Sequence, residues 1–586
     1  MRPVLTPALR IAEQGGMRGV RAVPPVRRRP GAAGAASVCV VAATLAGLTT
    51  PPALHAQTGD AVGPVHLEQP DQPPGPVQPR RTSRPALVTR GGYFSTQVNV
   101  DAAGNNIVGD AANEPTIAVD PTNPNIIVIG WRQFDTISSN FREAGWAYSH
   151  DAGRTWTFPG VLENNVFRSD PVLDVDAAGT FYYCSLRGSF QCDVFRSSNG
   201  GVSWNGPYFA YGGDKQWLTV DKTGGAGAGH LYESWSRFGN NYYPNQFTRS
   251  ANGGSAWLYP IQIPPLMPMW GTLDVDLEGT LYIGGFDYPY DMILARSSNA
   301  RFADQTPTFE FSRGVDLGGP LVFQGAPNPG GLLGQLWLAV DRSDGPTQGN
   351  VYMLASIDPD GPDPLDVMFS RSTDRGETWS TPVRVNDDPP GTNAWQWFGT
   401  MSVAPDGRID AVWNDTRNSG QANISELYYS YSTDGGLSWS ANQSLSLPFD
   451  SYLGWPQQNK LGDYYHMISD VVGANLAWAA TFNGEQDVYF LRIGDFDCNG
   501  NGSGDQEDLL SGASTDLNAN GIPDECDCLG DVDHNWQVDL ADLSVLLSNY
   551  GLTGGATYED GDLDGDGDVD LADLSMLLAR YGLSCP

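Results

Sequence analysis

Positive charge is scarce in this chain. Its 586 residues carry 33 Lys and Arg against 68 Asp and Glu, for a net charge of -35. Seven of the arginines, with a single acid, fall within residues 1–56, so the remainder is more acidic still. A surface of that sign repels phosphate backbones and anionic lipid and attracts cations, which argues against nucleic acid as a partner. Histidine is also rare, and the six present show no metal-binding spacing. No Gly-x-Ser-x-Gly elbow occurs, so the serine-hydrolase arrangement built on it is absent. Long apolar runs are confined to one place near the N-terminus, and no later segment is long and apolar enough to span a bilayer.

That one run, "GAAGAASVCVVAATLAGL", follows Arg27-Arg28-Arg29-Pro30, and "ALHA" ends at Ala56. A basic front, an apolar stretch and a small-residue cleavage pattern predict a secretory signal over residues 1–56, and hence a secreted protein, free or held at the cell surface. Cys39 lies inside it. The other six cysteines are an even number, as expected of disulfides in an exported chain. Cys184 and Cys192 are close enough in sequence to staple one hairpin or loop. Cys498, Cys526, Cys528 and Cys585 allow three pairings, of which Cys498–Cys526 with Cys528–Cys585 is the expectation. Residues 57–91, rich in Pro, Gln and Gly, read as an extended linker.

Glycine, by contrast, is abundant at 70 residues, as in a turn-rich β protein. One phrase, Ser-x-Asp/Asn-x-Gly-x-x-Trp, ends at Trp156, Trp204, Trp257, Trp379 and Trp439. Adjoining copies are about fifty residues apart, which marks an array of similar units. A second phrase lies upstream of each turn, as in "PTIAVDPTNPNIIVIGW" and "GTLDVDLEGTLYIGGF". It reads as a strand, a polar turn and a second strand; the third strand enters the Ser-Asp-Gly-Trp turn and a fourth leaves it. Four antiparallel strands repeated radially predict an all-β fold, a seven-bladed β-propeller over residues 92–493, with six blades as the alternative if one unit is irregular. The fourth unit has only "RSSNARF", and the seventh has no turn. Its missing outer strand is expected from Tyr93 to Val100, closing the ring.

The turn phrase resembles the Asp-box, or BNR, repeat of sialidases, over about 400 residues. In that family the boxes lie opposite the active site. On the other face the second strands here end in charge: Arg132, Arg187, Arg237, Asp287, Asp415 and Arg417. Glu114, Asp170, Asp214 and Asp463 stand where the chain enters its blades, and Tyr464, Tyr465 and His466 follow Asp463. Arginines converging from several blades grip a carboxylate in forked geometry. The resemblance therefore nominates Arg132, Arg187, Arg237, Asp415, Arg417 and Asp170 as catalytic candidates. It implies a glycan-directed protein, a glycoside hydrolase of the sialidase kind, or alternatively a non-catalytic propeller binding carbohydrate or protein. The sialidase Arg-Ile-Pro motif is absent, and no Tyr–Glu nucleophile pair is assigned, with Glu233 and Glu426 as candidates for its glutamate. The competing structural reading pairs these charges with one another to lock adjacent blades.

The C-terminal region holds 21 acids and one basic residue, Arg580, within residues 495–586. Its acids are ordered. Asp562, Asp564, Asp566, Asp568 and Asp573 occupy positions 1, 3, 5, 7 and 12 of a calcium loop, with Gly567 at position 6 and a helix following. The phrase recurs 31 residues earlier with Asp531, Asp533, Asn535 and Asp542, where Trp536 replaces the glycine. Two such loop–helix units over residues 529–586 resemble a dockerin domain. That implies Ca2+ as cofactor and a cohesin-like or cell-surface protein as partner, though both copies carry Leu-Ala at the partner-selecting positions. Over residues 494–528, Asp497, Asn499, Asn501 and Asp508, then Asp516, Asn518, Asn520 and Asp527, resemble thrombospondin type 3 calcium loops, with no helix expected after either.

Overall fold

A computed structural model describes residues 72–74, 80–287, 292–517, 521–533 and 537–582. The signal segment, Cys39, Cys585, Asn518, Asn520, Asn535 and Trp536 lie outside the described residues. The chain folds as a seven-bladed β-propeller followed by a few short helices. The innermost strands of the blades are, in order, Ala111–Val119, Arg168–Val175, Trp217–Val220, Leu273–Val275, Trp337–Val340, Gln396–Val403 and His466–Ser469. Each pairs antiparallel with the next strand out. Blade 3 is the irregular one: three strands form, and the fourth position is held by a single bridge, Phe247 to Ile261.

The ring closes through its beginning. Strand Tyr93–Gln97 pairs antiparallel with Asp487–Gly494, placing Ser95 opposite Leu491 and Gln97 opposite Tyr489. The strand before it, Leu87–Arg90, adds a fifth strand through the Gly91-Gly92 hairpin, whose φ values of 58° and 94° only glycine adopts freely. Strands Arg81–Ser83 and Leu87–Arg90 therefore correct the assignment of residues 57–91 to linker throughout. The first pairs with Asn106–Val108 and the second with Tyr93–Thr96, and the Pro-rich sequence before them hid both pairings.

The repeated turn does the same local work five times. Its Ser Oγ accepts the N–H of Gly153, Gly201, Gly254, Gly376 or Gly436 at 2.8–3.0 Å, and each of these glycines has φ between 77° and 87°. In blade 4 Arg301 stands where that glycine would be. The bond there comes instead from Ala300 N–H to Ser297 at 3.2 Å, one residue earlier. Arginine precedes the turn serine in four blades and struts each turn to the next. Arg196 donates to Gly253 O, Arg249 to Ala300 O, Arg296 to Arg375 O and Arg371 to Gly435 O, at 2.7–3.2 Å.

After the propeller, Asn125 Nδ2 donates to Cys498 O at 2.9 Å, and Arg154 pairs with Asp505 at 3.0 Å while lying 4.2 Å over the Phe496 ring. A helix spans Asp505–Ser511, where none was expected. Cys498 and Cys526 are bridged, and Cys528 is also disulfide-bonded. Cys184 and Cys192 remain free thiols, which corrects the expected staple. They sit diagonally across their ladder, Cys184 opposite Val194 and Cys192 opposite Leu186. The helices Leu540–Asn549 and Leu571–Arg580 follow, each opened by an Asp capping box. A shift of 31 residues superposes their buried core, Val532, Val538 and Leu546 on Leu563, Val569 and Leu577. The two units also exchange bonds symmetrically, Gly551 N–H to Val569 O and Gly582 N–H to Val538 O, both at 2.8 Å.

Candidate functional site

The innermost strands start with a kink. Glu114, Asp170, Lys215, Trp270 and Phe398 all have φ between 46° and 60°, and each stands six residues before the end of its strand phrase, at Asp120, Asp176, Asp221, Asp276 and Ala404. Such a conformation costs on the order of 1–3 kcal/mol per non-glycine residue and persists only where surrounding structure enforces it. Blades 5 and 7 use Gly334 and Gly462 nearby, at φ 135° and 94°. Strand register breaks around Glu114 and Phe398.

The kinks of blades 1 to 3 gather charge with the start of blade 7. Arg132 Nε lies 3.1 Å from Glu114, Lys460 Nζ 3.6 Å from Glu114 and 2.9 Å from Asp463, and Lys215 pairs with Asp463 and lies 4.0 Å from Asp170. Burial raises the Glu114 carboxyl to about 8, against the pull of Arg132. Burial opposes ionisation of Asp463 as well, but Lys215 and Lys460 outweigh it and hold that carboxyl well below the usual range. Beneath this network Trp217, Trp337, Tyr464 and His466 pack edge and face at 5.3–5.4 Å. Burial lowers His466 to about 3, and its Nδ1 accepts the Ile117 N–H at 3.3 Å. Beyond the aromatic layer lies a cavity of about 110 Å³, with the pairs Lys222–Asp174 and Arg342–Asp274 in its wall.

These shifts fix a pH dependence. Glu114, at about 8, and Asp487, raised by burial to about 7, both exceed their ordinary values of 4.5 and 3.8. A raised carboxyl favours folding in its protonated form: the contribution is complete below the ordinary value and is lost as pH climbs through the folded one. Thermal unfolding at fixed calcium and salt is expected to give a lower midpoint at pH 9 than at pH 6. A midpoint that stays level or rises would contradict the assignment.

The structure brings together two of the nominated residues, Arg132 and Asp170, and spreads the others. Arg187 is the most open, 47% exposed at its side chain, and lies 3.6 Å from Asp193, which also takes Arg168 at 2.8 Å. Arg237 pairs with Asp287 at 2.7 Å. Arg417 pairs with Asp415 at 2.8 Å and Asp387 at 2.7 Å, and lies 4.4 Å over the Tyr428 ring. The four arginines thus face separate carboxylates rather than one shared opening. The Tyr464 and Tyr465 hydroxyls donate to Pro171 O and Ala479 O at 2.9 and 2.6 Å. Glu426 accepts from Arg90, Asn418 and Ser444. Glu233 faces Cys184. Lys215 and Lys460 were missed in the sequence because no local pattern surrounds them.

A second feature was also missed. On blades 2 and 3 the rings of Phe209, Tyr211, Tyr242 and Tyr259 form a chain with centroids 5.0–6.4 Å apart, and Tyr243 and Tyr259 are each 63% exposed. The four rings come from three separate segments, so no periodicity announces them.

In the tail, carboxylate oxygens of Asp562, Asp564 and Asp566 lie within 4.8 Å of one another, as do those of Asp531, Asp533 and Asp542. Asp562 also accepts the N–H groups of Gly565 and Gly567, both at 2.9 Å, which folds the loop around its first carboxylate. Asp542 and Asp573 each accept three backbone N–H groups, from Val532, Asp533 and Asp539 and from Leu563, Asp564 and Asp570. Asp497 accepts Asn501 and Gly502 N–H, and Asp508 takes the amides of Asn499 and Asn501. Asp516 accepts the Gly521 N–H. Asp527 accepts the Cys528 N–H. Oxygen-only donor sets of this kind suit a hard cation.

No family model and no curated protein matches the chain. Solved structures do. A protein of unknown function from Dyadobacter fermentans is 14% identical, covering 71% of this chain and 100% of that one, with a TM-score of 0.38. The BP39L lectin from Burkholderia pseudomallei is 13% identical over 62% of this chain and 94% of that one, at 0.39. A Trypanosoma rangeli sialidase is 12% identical over 70% and 58%, at 0.33. No helix among the described residues is long and apolar enough to cross a membrane.

Proposed function

We propose that this is a non-catalytic carbohydrate-binding propeller, attached through a Ca2+-dependent tail. The aromatic chain on blades 2 and 3 carries the reading. Tyrosine rings offer apolar faces to the C–H faces of a sugar and phenols to its hydroxyls, and an exposed patch of this kind marks a binding site more often than chance surface. Hydrolysis is the less favoured alternative. A glycosidase needs two carboxyl groups of different protonation beside substrate, and the place with that electrostatics, Glu114 beside Asp463 and Asp170, is buried throughout.

In the tail Ca2+ is the natural occupant, with Asp562, Asp564, Asp566 and Asp573 on one loop and Asp531, Asp533 and Asp542 on the other. Exposed leucines on each helix, Leu540 and Leu547 matched by Leu571 and Leu578 after the 31-residue shift, support a protein partner there. A glycan array followed by calorimetry on the full chain tests the propeller reading. Binding is expected to weaken at least about tenfold in Tyr259→Ala, the scale of one aromatic contact, with no sugar released by the wild type. Turnover of chromogenic glycosides, lost in Arg417→Ala, would overturn it in favour of a hydrolase.

A further inference from the structure

One group of reactive side chains belongs to neither the aromatic surface nor the tail. Cys184 and Cys192 come from the second and third strands of blade 2, and Glu233 comes from the second strand of blade 3. All three are fully buried. Cys184 Sγ lies 3.9 Å from Glu233 Oε1, and Cys192 Sγ lies 4.0 Å from the Gly213 carbonyl oxygen. Ligand atoms of the two thiols and the carboxyl all fall within 4.8 Å of one another. Glu233 Oε2 is buried with no hydrogen-bond partner. The backbone closes over them: a Cβ on Gly212 would stand 2.2 Å from Cys192 Sγ and 2.8 Å from Glu233 Oε1.

A buried carboxyl with one oxygen unsatisfied is costly, and leucine would fill the same space without that cost. Two thiols beside it make a different sense of the arrangement. In a tetrahedral zinc site, Zn–S of about 2.3 Å and Zn–O of about 2.0–2.2 Å put neighbouring ligand atoms roughly 3.5–3.8 Å apart, close to the separations seen here. Sulfur ligands select thiophilic cations over the hard ions that suit the tail. We propose that Cys184, Cys192 and Glu233, with the Gly213 carbonyl as a fourth donor, form a buried structural site for a thiophilic divalent cation, best matched by Zn2+, that clamps blade 2 to blade 3. Loading the site releases the protons of the two thiols and the carboxylic acid to solvent, leaving two thiolates and a carboxylate on the ion.

The test uses the full-length chain. Metal analysis after exposure to stoichiometric Zn2+, with calcium in excess, is expected to find one zinc per chain. Co2+ in its place is expected to show a thiolate-to-metal charge-transfer band. Cys192→Ser should lose that band, whereas Asp562→Asn with Asp564→Asn should keep it, which separates this site from the acidic loops. Should Cys192→Ser fail to fold, the wild type still decides by thiol-reagent titration along a denaturant series: both cysteines are expected to become reactive at a higher denaturant concentration with zinc than after its removal. A Cys184–Cys192 disulfide in unreduced peptides, or two free thiols with no bound metal after exposure to zinc, would overturn the proposal.

Discussion

Chelating calcium from the full-length chain is expected to unfold the last fifty residues while the propeller stays intact. Hydrogen exchange should show the amides of Leu540–Asn549 and Leu571–Arg580 losing protection in excess EGTA, with the blade strands unchanged. The expectation rests on how little else holds that region together. Its core is a handful of aliphatic side chains, and a unit so small buries too little apolar surface to be secure alone. Against that stand the acids of the two loops, whose carboxylates lie within a few ångströms of one another and repel when bare. Ion binding then becomes folding free energy. Residues 496–511 should be less affected, because Asn125 and Arg154 of blade 1 hold them. Protection of both helices that is indifferent to EGTA would sink the calcium assignment.

Asp463→Ala is expected to destabilise the propeller by about 3–5 kcal/mol, the range for breaking a buried ion pair from one side. The substitution removes the carboxylate that Lys215 and Lys460 share and the acceptor of the Leu332 N–H, bonded at 2.8 Å. Arg313→Ala breaks a pair with Glu377, at 3.1 Å, that is exposed on both sides and should cost under about 1 kcal/mol. Denaturant unfolding of both variants beside the wild type gives the comparison. Equal costs would mean that the buried network around Asp463 contributes no more than a surface pair.

What could be read from the sequence was whatever is settled locally. The turn phrase was legible because its serine, glycine and tryptophan each act within a few residues of one another. The closing strand was legible because Tyr93 to Val100 alternates and blade 7 lacked a partner. The 31-residue repeat stood out because its acids hold a fixed register. Features assembled from distant chain were not legible. Lys215 meets Asp463 across 248 residues, and neither position carries a motif. The arginine struts were written in plain view as Arg-Ser, but their acceptors are carbonyls of the next blade, which any residue supplies. Of the nominated arginines, Arg187 ends its strand, Arg132 lies inside one, and Arg237 and Arg417 lie just beyond theirs; whether they face a common opening or separate acids depends on side-chain direction, which spacing does not determine.

The closing strand also sets a clock. Tyr93–Gln97 leaves the ribosome long before its partner Asp487–Gly494 has been made, a wait on the order of tens of seconds at ordinary synthesis rates. During that interval the early blades have no ring to complete, and one edge of the chain stays unpaired. Circularity here waits until Gly494 has been made, so anything acting on the chain before that point meets an open ribbon, not a propeller.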